Sequence, residues 1–169
     1  MQVSLVAYFN RLSDIPLDEL KRRNYRYCLI DVDNSLLAHG QHEASDEARG
    51  LCSRMMAAGF DLTLVSNARS ERAASLAASF DLPYISEANK PSAKKILAFL
   101  EAHQYPKSET LMIGDQIFTD VWVAKRAGIS AILLEPLNRS EPWYIRLKRF
   151  LEFFVKRILR LKLNQFRDN

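Results

Sequence analysis

Tyr27-Cys28-Leu29-Ile30-Asp31-Val32-Asp33-Asn34-Ser35 is a short apolar run that ends on two carboxylates and a turn. Runs of this length, bounded by turn residues, read as strands buried on both faces. The rhythm repeats downstream. Leu62-Thr63-Leu64-Val65 leads into Ser66-Asn67, Pro83-Tyr84-Ile85 is a brief third strand, and Thr110-Leu111-Met112-Ile113 leads into Gly114-Asp115. Ala131-Ile132-Leu133-Leu134 is the fifth. Helical patterns fill the gaps. Ser45 to Ala58 carries Leu51, Met55 and Ala58 on one face, and Ser70 can cap a helix that turns Ala73, Ala74, Ala77 and Phe80 inward. Pro91 to His103 shows an Ile96, Phe99, Leu100 stripe, and a helix from about Thr119 to Ala127 stops at Gly128. This alternation predicts an α/β fold of three layers around a five-stranded parallel sheet. In such sheets ligands bind beyond the carboxyl ends of the strands, so Asp31, Ser66 and Asp115 should converge at one crevice.

Composition sets the outer bounds. The 169 residues suffice for one domain with a sizeable core, and 48% hydrophobic content argues against disorder. Cys28 and Cys52 match no common zinc or redox spacing and read as buried thiols of a reducing compartment. The opening residues lack a basic leader followed by a long apolar run, and no stretch approaches a membrane-spanning length, so a cytoplasmic chain is expected. The net charge of +4 is unevenly placed: Trp143 to Asn169 holds eight Lys or Arg against two acids, and the remainder is slightly acidic. Residues 1–140 therefore read as the domain, with 141–169 as a basic amphipathic extension. Before Arg26 the sequence says little beyond a short helix from Pro16 to Arg23.

Four polar elements carry the chemistry. Asp31 and Asp33 are carboxylates two residues apart, which can take separate roles when their surroundings push their pKa values apart. One, held ionised by a divalent cation, can attack phosphorus; the other can protonate a leaving alkoxide and then activate water. Ser66-Asn67 offers a hydroxyl and backbone N–H groups to phosphate oxygens. Lys90 precedes Pro91, a residue suited to a first helical turn, so its ammonium and the helix dipole would both favour an anion. Asp115 and Asp120, in Gly114-Asp115-Gln116-Ile117-Phe118-Thr119-Asp120, supply hard oxygen ligands for Mg²⁺.

In this order the four elements resemble the motifs of the haloacid-dehalogenase-like phosphohydrolases, over residues 27–134. The resemblance implies a Rossmann-like fold of that superfamily, with Asp31 as nucleophile forming an aspartyl-phosphate and Asp33 as general acid/base. It implies Ser66 and Asn67 as phosphate ligands and Lys90 as the cation that neutralises the transferring group. Mg²⁺ would be held by Asp31, the backbone carbonyl of Asp33, and Asp115, with Asp120 in support. Ser35 stands where Thr is more usual. A receiver-like phosphoacceptor, which places its aspartate after the third strand, is disfavoured because Ser86-Glu87 follows that strand here.

The superfamily often carries a cap domain, but Leu36 to Ala44 leaves room only for a flap, holding His39 and His42, and residues 67–89 are taken up by one helix and one strand. A capless site must exclude water by other means and suits a large or membrane-embedded phosphoester. From Pro142 to about Phe166, Trp143, Leu147, Phe150, Leu151, Phe154, Ile158 and Leu161 form one helical face, with Arg146, Arg149, Lys156, Arg157 and Arg160 opposite. Such a helix suits an anionic membrane surface or a binding partner, or else packing on the chain's own domain or on a second subunit. Its aromatics do not alternate with the basic residues as a nucleic-acid groove requires, so no nucleic-acid partner is expected. The Asp-Val-Asp-Asn-Ser-Leu run and the Gly114–Val121 block are similar to the IIIA-type, YqeG-like subgroup, related to organellar phosphatidylglycerophosphate phosphatases. That likeness implies a lipid-headgroup phosphomonoester and a peripheral place on the inner face of the membrane. The alternatives are a soluble sugar-phosphate or nucleotide phosphatase and a catalytically weak binding or scaffold protein on the same fold.

Overall fold

Every one of the five expected strands forms, and two more join them. The computed structural model describes residues 5–37, 44–68, 75, 78–137, 152, 154–157 and 162–167. In chain order these hold β1 (Leu5–Phe9), α1 (Leu17–Arg22), β2 (Tyr27–Asp31), α2 (Asp46–Ala57), β3 (Asp61–Val65) and β4 (Tyr84–Ile85). Then come α3 (Lys94–Ala102), β5 (Thr110–Gly114), α4 (Trp122–Ala127), β6 (Ser130–Leu134) and β7 (Gln165–Phe166). The strands make one sheet in the order β4-β3-β2-β5-β6-β1-β7. All neighbours are parallel except β1 and β7.

The sheet is central because its strands are apolar on both faces. Cys28, Ile30, Leu111, Ile113, Ile132 and Leu134 pack on one side with Ala48, Cys52 and Met55 of α2. Leu29, Met112, Ala131 and Leu133 face the other side, against Ile96 and Leu100 of α3 and Val123, Ala124 and Ala127 of α4. The alternation along each strand is the two-residue period of the pleat. Both cysteines are buried and free; burial, with Asp61 adding, pushes Cys28 up to about 12, and burial pushes Cys52 up to about 11. Ser45 caps α2, its Oγ accepting from the Ala48 N–H at 3.1 Å.

From β2 the chain steps outward through β3 to β4, then crosses back to lay β5 on the other side of β2. This reversal between β2 and β5 opens a crevice at their carboxyl ends, where Asp31 and Asp115 lie.

Three expectations need correction. The sheet has seven strands where the pattern showed five. β1 lies parallel to β6, with Leu5 opposite Ala131 and Phe9 opposite Leu134, and β7 runs antiparallel to β1. The helix expected from Thr119 begins only at Trp122, behind a π turn over Ile117–Val121. The helix expected to reach about Phe166 does not: Asn164 takes a φ of +57°, its N–H donates to the Tyr8 carbonyl at 2.6 Å, and Gln165–Phe166 join the sheet. The described parts of the C-terminal segment rest on the domain. Lys156 Nζ reaches Glu135 at 2.7 Å and the Tyr8 hydroxyl at 2.9 Å, and Val155 packs against the core. His39, His42, most of the Ser70 helix, and Trp143, Arg146, Leu147, Arg149, Phe150, Leu151, Ile158, Arg160 and Leu161 fall outside the described residues. Residues 78–80, at the end of the Ser70 pattern, are helical, with Phe80 buried. Among the described residues no helix is long and apolar enough to cross a membrane.

Candidate active site

Asp31 is the last residue of β2, buried, with one carboxylate oxygen bonded to Lys90 and the other accepting from Ser35 Oγ at 3.3 Å. The chain doubles back just after it. Leu36 and Leu37 donate to the Val32 carbonyl, Asn34 donates to Leu37 at 2.7 Å, and Asn34 adopts a φ of +62°. That left-handed step is tolerated because Asn reaches αL more readily than other non-glycine residues. Asp33, half-buried, pairs with Leu37 in this turn.

Ser66 follows β3 and is buried; its Oγ accepts from the Ala68 N–H at 3.0 Å and its own N–H donates to Ile85. The Asn67 side chain is engaged with the Lys90 backbone. Its side-chain carbonyl accepts from the Lys90 N–H at 2.8 Å and its amide donates to the Lys90 carbonyl at 3.2 Å, clamping the Lys90 backbone from both sides. Lys90 does not sit at a helix start: α3 begins at Lys94, and the cis Lys90–Pro91 bond lies in a turn closed by Ser92 N–H on Asn89. The Lys90 ammonium turns inward to Asp31 and, at 2.7 Å, to Asp120. Carboxylates, rather than a helix dipole, are its partners.

Asp115 follows β5 and is fully buried, and Asp120 comes up beside it on the π turn. One oxygen of Asp120 meets Lys90; the other accepts from the Gln116 N–H at 3.0 Å. The turn passes so close to β5 that a Cβ on residue 114 would lie 2.5 Å from Asp120 Oδ2 and 2.6 Å from its Cβ. Gly114 is what lets Asp120 in. Single π turns recur at functional sites because they push one side chain out of α register.

Burial drives the Asp31 carboxyl well above the ordinary range; the Lys90 ammonium opposes this, and Asp120 and Asp115 add to it. Burial works against the charge on Lys90, but Asp120 and Asp31 outweigh it and hold the ammonium charged. Asp31, Asp115 and Asp120 each bring an oxygen within 4.8 Å of the others. Once all are ionised, three carboxylates beside one ammonium leave two negative charges in a buried place, and an all-oxygen, doubly negative set fits Mg²⁺. Asp120, expected only in support, stands inside this cluster.

Sequence reasoning missed Glu152. It is 2% exposed, and its Oε1 accepts from the N–H groups of Ile117 at 2.7 Å and Phe118 at 3.4 Å. The available signal was an acid within an otherwise basic and apolar stretch.

Comparisons with known proteins bear on the same arrangement. The chain is 27% identical over 155 residues to Probable phosphatase YqeG of Bacillus subtilis (strain 168), covering 92% of this chain and 90% of that protein. It is 30% identical over 159 residues to Phosphatidylglycerophosphate phosphatase 1, chloroplastic/mitochondrial, of Arabidopsis thaliana, covering 86% of this chain but 45% of that protein, so it spans about half the length of that relative. A crystal structure of an uncharacterized protein from Listeria monocytogenes serotype 4b superposes with a TM-score of 0.57 at 18% identity, over 78% of this chain and 99% of that one, a likeness of fold. A family model described as haloacid dehalogenase-like hydrolase matches residues 6–128, the span that runs from β1 past Asp31, Lys90, Asp115 and Asp120. With that match over most of its length, the chain belongs to the haloacid dehalogenase-like hydrolases.

Proposed function

We propose that this hydrolase is a Mg²⁺-dependent phosphatase that cleaves phosphomonoesters through an aspartyl-phosphate on Asp31. The observation that carries the reading is the buried cluster at the switch point of the sheet, three carboxylates with one ammonium. Asp31 attacks phosphorus as the bond to the leaving oxygen breaks, and Asp33 gives that oxygen a proton. Asp33 then takes a proton from water, which attacks the aspartyl-phosphate, releases inorganic phosphate and restores Asp31. Lys90 stabilises charge on the transferring group, with Ser66 and the backbone N–H of Asn67 as further phosphate ligands. Asp31, Asp115 and the backbone carbonyl of Asp33 would hold the cation, Asp120 beside them. Bound Mg²⁺ supplies Lewis-acid neutralisation of the phosphoryl oxygens.

For substrate we favour a lipid headgroup, phosphatidylglycerophosphate, on the strength of the likeness to the Arabidopsis enzyme and of a site that the described residues leave without a cap. A cavity of about 310 Å³ beside Ser35, walled in part by Arg11 and Arg54 against the single acid Glu47, supports an anionic headgroup. The C-terminal segment would add attraction to an anionic surface, at about 1 kcal/mol per cation near the leaflet. Lys156 is engaged with Glu135 and Tyr8, so Arg146, Arg149, Arg157 and Arg160 would carry it. Asp31→Asn should fold normally and lose turnover; Mg²⁺-dependent hydrolysis by that variant would defeat the assignment. Phosphatidylglycerophosphate in mixed micelles should exceed soluble sugar phosphates and nucleotides in kcat/KM, and the reverse order would defeat the lipid reading.

A further inference from the structure

Three amides at the opening of the π turn are answered by carboxylates, but from different parts of the chain. Gln116 N–H donates within the turn, to Asp120. Ile117 and Phe118 N–H groups both donate to Glu152, on the C-terminal segment. Amides at the start of a helical turn have no partner inside it, and a carboxylate there satisfies the donors and complements the dipole. A local cap is not available. The Gln116 side chain makes no capping bond, and the Asp115 carboxylate belongs to the buried cluster. Burying a carboxylate for this purpose alone is costly, yet Glu152 is almost fully buried.

What Glu152 caps decides what it does. The π turn is five residues long, lies against Gly114, and delivers one functional side chain, Asp120, to Lys90. Resting on the reading of the carboxylate cluster as a cation site, we propose that Glu152 is a positioning residue for that site. By capping the π turn it holds Asp120, and through Asp120 the Lys90 ammonium, where the cation is received. The C-terminal segment is thereby a working part of the hydrolase rather than an appendage.

The probe is Mn²⁺, with binding followed by electron paramagnetic resonance on the full chain, alongside Tm and the kinetics of a small soluble phosphomonoester. Glu152→Ala should weaken Mn²⁺ binding about tenfold or more, the range found when outer support of a metal site is lost. It should lower kcat while leaving KM little changed. Glu152→Gln keeps a carbonyl acceptor at the same reach and should recover most of the affinity. Lys156→Ala removes the segment's anchor to Glu135 and Tyr8 and should lower Tm without moving Mn²⁺ affinity. Wild-type Mn²⁺ affinity in Glu152→Ala overturns the inference, as does an equal loss in Lys156→Ala. Should the Ala variant not fold, Glu152→Asp, one methylene short, must bind Mn²⁺ more weakly than Glu152→Gln, and equal values refute the role. If the unsubstituted protein binds no Mn²⁺, the cation-site reading falls and this inference with it; binding indifferent to residue 152 removes the inference alone.

Discussion

Gly114→Ala tests the site through its tightest contact. The added Cβ would sit 2.5 Å from Asp120 Oδ2, where ordinary van der Waals contact begins at 3.4 Å, so about 0.9 Å must be found. β5 cannot supply it, because it is paired to β2 on one side and β6 on the other. Asp120 must move, and the bonds it leaves are those to Lys90 at 2.7 Å and Gln116 at 3.0 Å. A hydrogen bond to a charged group contributes about 1.5–3 kcal/mol, and overpacking costs about 1–3 kcal/mol. A loss of about 2–5 kcal/mol follows, which for a chain of this size lowers Tm by roughly 5–15 °C. A displacement near 1 Å at a reacting centre costs on the order of 10²-fold in rate. Calorimetry and turnover of a chromogenic phosphomonoester under saturating Mg²⁺ read both effects. Gly50→Ala is the internal contrast: Gly50 lies inside α2 with nothing within 4 Å of a new Cβ, so that change should stabilise by about 0.5–1 kcal/mol and spare activity. Gly114→Ala with wild-type turnover and Tm would show that Asp120 does not need its observed place.

Lys90→Met should be more damaging without metal than with it. Removing one partner of a buried ion pair costs about 3–5 kcal/mol, so Tm in EDTA should fall by roughly 10 °C and recover partly in Mg²⁺; an unchanged Tm in EDTA would contradict the charge balance drawn here. The raised Asp31 pKa sets a pH dependence. The folded, metal-free protein keeps the Asp31 proton above the pH, about 4, at which the unfolded chain loses it, so the native state binds more protons in that window. Stability without metal should therefore fall as pH rises from about 4 through the raised folded value, and the Tm gain from Mg²⁺ should widen over the same interval. A gain in Tm from Mg²⁺ that narrows with rising pH would refute this.

The parts of the site legible in the sequence were those that follow from strand position. Asp31, Ser66 and Asp115 were placed by short continuous apolar runs that end on polar residues and by the rule that α/β sheets bind ligands at their carboxyl ends, both local signals. Lys90 was found from Lys-Pro, but for a reason that does not hold, since its partners are Asp31 and Asp120 rather than a helix start. Nothing near Asn67 announces that its side-chain amide clamps a backbone some twenty residues on. β1 was missed because its partner β6 lies near the other end of the chain, and β7 because a two-residue strand has no period. Glu152 carries only the faint signal of an acid in a basic and apolar stretch, because the N–H groups that donate to it are brought there by tertiary packing.

The burial of three carboxylates around a single ammonium explains why so much structure is committed to holding them. Such a cluster opposes folding until a cation or substrate arrives, and natural proteins keep arrangements of this kind at sites of function. Three of the four groups are accordingly restrained by a neighbour outside the cluster: Asp31 by Ser35, Lys90 by Asn67, Asp120 by the Gln116 amide and the wall at Gly114. In enzymes with a cap, closure can complete the geometry when substrate binds. Here Ser35, Asn67, the Gln116 amide and the wall at Gly114 hold the geometry from the base itself. The π turn is the least self-sufficient element of that base, and Glu152 meets it from the one segment that the α/β alternation does not require.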